Sequence, residues 1–250
     1  MNQRPVFAGL LALALLPLPA GSQTAADPGL ARLQGELERL APLSGGTMGV
    51  GVLHLESGAE LFVNADEPFP MASTFKVPVA VRLLTMVKGG SLRLDSMITV
   101  QESDLHPGSG EISHLLDDPG VALSVRNLME LMLLISDNSA TDILLRTAGG
   151  GAAADARPAE LGIRGISVNR PTIELIADFV GVKGLPPEGE RTPAAYRELQ
   201  RRVTDADRTA ARETFLKDTR DTATPRGIAR LLSAVWERAA LDEAGSALLL

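Results

Sequence analysis

The chain has 250 residues, no cysteine and a formal net charge of −7, with 45 % hydrophobic but only 3 % aromatic residues. That length suits one large domain or a domain with an inserted lobe, and that apolar content excludes a disordered chain. The acidic balance without a Lys/Arg-rich tract argues against nucleic acid and anionic membrane surfaces as partners, and His54, His106 and His114 without ligand-like spacing argue against a metal site.

The N-terminus reads as a secretory signal over residues 1–26: Arg4, an apolar run over 6–18 too short to span a bilayer, then small residues. The alternative is a buried helix, which Pro17, Pro19 and Gly21 would break at once. The mature chain, 27–250, is expected to be periplasmic or secreted, with no membrane attachment after cleavage, and monomeric.

Asp27-Pro28 opens a first helix with Leu30, Leu33, Leu37 and Leu40 at helical spacing, running to about residue 43. Alternating apolar residues over 47–55, the turn Glu56-Ser57-Gly58 and a second run over 60–64 predict a β-hairpin. Residues 73–87 form a strongly apolar helix with Pro78 near its start. Ser124 caps a helix over 125–135, the turn Ser136-Asp137-Asn138 leads into another over 140–146, and Asp155 opens a short one to 161. Residues 168–191 look irregular and proline-rich, which suggests a functional Ω-type loop. Helices over 194–205 and 210–215, one starting at Thr224-Pro225 and running through Trp236, and a last one from Asp242 complete the chain.

Two short motifs carry chemistry. In Ser73-Thr74-Phe75-Lys76 a hydroxyl opens a helix and an amine follows one turn on, on the same face. Serine is a weak nucleophile until a base takes its proton, and the apolar flanks Phe75, Val77 and Val79 would desolvate Lys76 and lower its pKa. Taken alone, the pair also fits a helix cap beside a solvated lysine. Ser136-Asp137-Asn138 alone also fits an ordinary polar turn with Asn138 as N-cap.

Taken together, Ser73-x-x-Lys76 after a hairpin and Ser136-Asp137-Asn138 between two helices resemble the class A β-lactamase and penicillin-binding serine hydrolase family. Residues 136–145 are similar to that family's Ser-Asp-Asn helix along its length, and Asp221-Thr222-Ala223-Thr224-Pro225 is similar to the segment before a late helix. The resemblance implies an α+β fold of the β-lactamase/transpeptidase type, with an antiparallel sheet and an all-helical lobe. It implies Ser73 as nucleophile, Lys76 as the group that helps take its proton, Ser136 as proton relay to the leaving nitrogen, and Asn138 as a binder of the substrate's side-chain amide. The expected partner is a small β-lactam or a peptidoglycan-like acyl donor; no cofactor and no metal are implied. His106 lies near the family's pocket rim, or is a solvated loop residue.

The chain departs from the family pattern twice. Where the family reads Arg-x-Glu-x-x-Leu-Asn, this chain has Arg170-Pro171-Thr172-Ile173-Glu174-Leu175-Ile176, so Thr172 and Ile176 fall on the slots that hold and activate the deacylating water. A threonine hydroxyl is no base near neutral pH, and isoleucine binds no water. Glu174 either shifts into the site or stays a surface carboxylate. The family's Lys-Thr-Gly motif does not occur in the 250 residues, and the apolar run 247–250 is expected of a chain that lacks the family's C-terminal strands. Three readings follow: a β-lactamase working through an acyl-enzyme on Ser73, a penicillin-binding or D,D-peptidase-like protein that deacylates slowly, or an inactive exported fragment.

Overall fold

A computed structural model describes residues 28–250 apart from 107 and 119. The signal peptide expected over 1–26 and the cap expected at Asp27 lie outside the described residues.

Elements follow in the order α1 (Pro28–Leu40), β1 (Val50–His54), β2 (Ala59–Val63), β3 (Phe69–Pro70), α2 (Lys76–Lys88), β4 (Met97–Thr99), α3 (Ile112–Leu115), β5 (Ala122–Ser124), α4 (Val125–Leu134), α5 (Asn138–Thr147), α6 (Gly151–Glu160), α7 (Thr172–Val180), α8 (Pro193–Arg201), α9 (Asp205–Phe215), β6 (Thr222–Ala223), α10 (Pro225–Trp236) and α11 (Glu243–Leu249). Among the described residues the strands form three antiparallel pairs, β1–β2, β3–β6 and β4–β5.

The sequence of α2 is apolar nearly all round, and such a helix belongs inside. Val79, Ala80, Val81, Leu83 and Leu84 are buried in it, ringed by Leu128 and Met132 of α4, Ile143 and Leu144 of α5, Ala154 of α6, and Leu231 and Val235 of α10. The hairpin β1–β2 lies against α10 so closely that a Cβ on Gly51 would come within 2.7 Å of the Pro225 carbonyl oxygen. The helix ends follow local chemistry: Ser124, Thr192, Thr204, Thr224 and Asp242 each accept a backbone N–H of the helix they precede.

The expected Ω loop carries a helix over Thr172–Val180, and 168–171 and 181–187 are irregular as expected. Residues 171–220 leave and rejoin the body at one point and fold into a lobe of α7, α8 and α9 with its own small core of Ile173, Ala177, Val182 and Tyr196. Arg170, buried at the neck, pairs with Asp221, Asp218 and Asp178. The Asp221 carboxylate also accepts the N–H groups of Asn169 and Arg170, and Asn169 Oδ1 accepts the Asp221 N–H in return. The short helix expected from Asp155 starts earlier, and Asp155 accepts the Val168 N–H from within it.

Candidate active site

Ser73 sits in a 3₁₀ turn, Ala72–Phe75, that leads into α2. The turn is presented by β3, which pairs with β6 (Phe69 opposite Ala223, Pro70 opposite Thr222), and by the Met71 N–H, which donates to the Asp221 carbonyl at 3.0 Å. Ala72 has φ 45°, a left-handed conformation that costs a residue with a side chain about 1–2 kcal/mol, so the pairing on either side must hold it. One lobe-neck residue, Asp221, thereby supports both the Ser73 turn and the Arg170 clasp.

The four residues expected to act together do meet. Ser136 Oγ lies 2.9 Å from Ser73 Oγ. Lys76 Nζ donates to Ser136 Oγ at 2.8 Å, to the Ser136 carbonyl at 2.7 Å and to Asn138 Oδ1 at 3.3 Å. The amine thus reaches Ser73 through Ser136. A hydroxyl both donates and accepts, so a proton leaving Ser73 can pass over Ser136 to a neutral Lys76 and return by the same two contacts. Burial pushes the Lys76 ammonium down to about 8, against the pull of the Asp137 and Asp142 carboxylates.

Asp137, not Asn138, caps α5: its side chain accepts the Ala140 N–H at 2.8 Å, and its other oxygen accepts Glu111 N and Ile112 N. With the cap taken, the Asn138 amide turns to Lys76 and to the rim, where the backbone of Gly108 approaches it.

His106 is not a solvated loop residue. It is buried, its Nε2 lies 3.0 Å from Asp142 Oδ2, and its backbone N–H donates to Ser139 Oγ. Asp142 also accepts the N–H groups of Thr172 (2.6 Å) and Ile173 (3.1 Å), the first residues of α7. Asp142 therefore ties the rim, α5 and the lobe together. Its signal in the sequence was its place one turn after Asn138 on the same helix face.

Thr172 is buried and its Oγ1 has no hydrogen-bond partner, as has His106 Nδ1. Glu174 is held by Arg191 at 2.6 Å and is not the base of the site. Ile176 lies close to the Gly108 position, beside Asn138. Each carboxylate around the relay already has partners: Asp137 on backbone N–H groups, Asp142 on α7 and His106, Glu174 on Arg191. Among the described residues no group of three or more His, Asp and Glu could hold a metal ion.

Comparison with known proteins agrees with this architecture. A family model described as the Beta-lactamase enzyme family matches residues 32–250. Beta-lactamase L2 of Stenotrophomonas maltophilia is 31 % identical over 201 residues, 78 % of this chain and 63 % of that protein, so the chain spans less than two thirds of this curated relative. Among solved structures, an ancestral class A beta-lactamase is 28 % identical with a TM-score of 0.66, covering 87 % of this chain and 68 % of its own. PBP-A, at 23 % identity and a TM-score of 0.65 over 87 % of this chain and 66 % of its own, shares the fold.

Proposed function

The chain belongs to the beta-lactamase enzyme family, and from that premise we propose that it is an exported serine hydrolase-type enzyme whose Ser73 is acylated by β-lactams and released slowly. The observation that carries this reading is the Lys76–Ser136–Ser73 relay. With Lys76 neutral, Ser73 Oγ attacks the lactam carbonyl carbon while its proton passes through Ser136 to Lys76. The ring C–N bond then breaks, and Ser136 returns the proton to the departing nitrogen, drawing on Lys76. The product is an ester on Ser73, with all atoms of the lactam retained. The Ser73 backbone N–H contributes to stabilising the developing oxyanion, a role typically worth about 3 kcal/mol.

Release needs a water and a base. Thr172 supplies no base and Ile176 no water-binding group, and the neighbouring carboxylates have other partners. The acyl-enzyme is therefore expected to outlive its formation. Rapid hydrolysis is the second reading, favoured by the 31 % identity to a beta-lactamase.

Stopped-flow mixing with a chromogenic cephalosporin separates the two. Slow release gives a burst equal to the protein concentration followed by slow turnover, and Ser73→Ala removes the burst. Fast linear turnover without a burst favours the second reading, and no signal from folded protein contradicts acylation.

A further inference from the structure

We infer that Ser109 is a positioning residue of the relay, its hydroxyl and carbonyl together holding the Ser136–Asn138 turn in the register in which Ser136 bridges Lys76 and Ser73. Ser109 Oγ donates to the Ser136 carbonyl at 2.8 Å, the same oxygen that Lys76 Nζ reaches at 2.7 Å. The Ser109 carbonyl accepts the Asn138 N–H at 2.9 Å. The two bonds bracket Asp137, whose carboxylate is held from the same loop by the N–H groups of Glu111 and Ile112.

The glycines on either side exist for this approach. Gly108 and Gly110 have φ of 102° and 124°. A Cβ on Gly108 would stand 2.7 Å from Asn138 Nδ2, and one on Gly110 would overlap the Asp137 carboxylate. The turn being held needs outside restraint, because Ser136 has φ 60°, a conformation that residues with a side chain rarely adopt.

Of the two Ser109 bonds only the hydroxyl depends on residue type, and it lands on the acceptor that Lys76 uses. Two donors on one carbonyl weaken each other. The Ser109 hydroxyl thus draws acceptor strength away from the Lys76 ammonium and favours the neutral amine that can take a proton. The charged groups facing Lys76 are Asp137 and Asp142, the latter carrying His106, and a change at the exposed Ser109 leaves both in place.

The inference rests on Ser73 as the acylated residue, so its test needs one readout that does not. In protein carrying 13C-labelled lysine and no substrate, the Lys76 resonance, assigned by its loss in Lys76→Arg, is titrated by NMR in the unchanged chain, Ser109→Ala and Ser109→Thr. The midpoint should move to higher pH in Ser109→Ala and return in Ser109→Thr. Acylation by a fluorescent penicillin should slow about three- to tenfold in Ser109→Ala, the effect of one hydrogen bond, with its acid limb displaced the same way. An unmoved Lys76 midpoint overturns the inference whatever the rate does. If the unchanged chain is not acylated at all, the proposed function falls, and the titration still decides the role of Ser109.

Discussion

Lys76 must be neutral to accept a proton, and burial holds its pKa near 8. The sign follows: below about 8 the amine is protonated and acylation falls with pH, and above it the rate levels off. Stopped-flow acylation from pH 6 to 10 should show that single acid limb; a flat profile would remove Lys76 as the base. Arginine stays charged throughout, so Lys76→Arg should cost at least about a hundredfold in acylation rate while a thermal melt shows the fold retained. On the proposed function, Thr172 stands where the other half-reaction would need its base. Thr172→Glu places a carboxylate where a buried, unpartnered hydroxyl now stands and should shorten the acyl-enzyme lifetime; an unchanged lifetime would sink the assignment of Thr172 to that slot. At this scale the sequence was most legible. Ser73 and Lys76 lie within one turn, and Ser136 and Asn138 within another, but either motif alone also fitted a cap or a polar turn; the family resemblance joined them, and the contact between Ser73 and Ser136 spans 63 residues. His106 and Asp142 were harder, because their pairing joins segments from different elements and leaves no local pattern.

The element that escaped the sequence is α7. Its first residue follows Pro171, which offers no side-chain cap, and the nearby Asn169 side chain is taken up by Asp221 and Ser167 instead of by the helix. The cap comes from Asp142 on α5, which accepts Thr172 N and Ile173 N, and no reading of neighbouring residues finds such a partner. Pro171, Pro186 and Pro187 made residues 168–191 look irregular, yet they sit at the neck and after the helix. The lobe so formed depends on its clasp. Arg170→Ala would leave the buried Asp221 without its ion-pair partner, held only by the Asn169 and residue-170 backbone N–H groups, a loss of about 3–5 kcal/mol. Because the lobe has a core separate from the body's, hydrogen exchange should quicken over α7, α8 and α9 well before α2 and α5. Equal quickening everywhere would show that lobe and body open as one unit.

Across the whole molecule the load falls on α2. It was recognisable because apolar residues cover its circumference, and the β1–β2 hairpin was recognisable by its turn, whereas the pairing of β3 with β6 was not, since Phe69 and Ala223 are too far apart in sequence for local patterning to join them. Leu83, fully buried on α2, should cost about 2–5 kcal/mol when cut to alanine, seen as an earlier urea midpoint with unchanged slope. The same core that sets stability also sets chemistry, for it is burial on the first turn of α2 that brings Lys76 near neutrality and leaves Ser136 as its route to Ser73. Intact-protein mass spectrometry after mixing with a labelled penicillin, followed by peptide mapping over time, tests this account most directly. A one-to-one adduct on Ser73 that persists for many times its formation time is the expected result. An adduct on any other residue, or a folded protein that is never acylated, would contradict it.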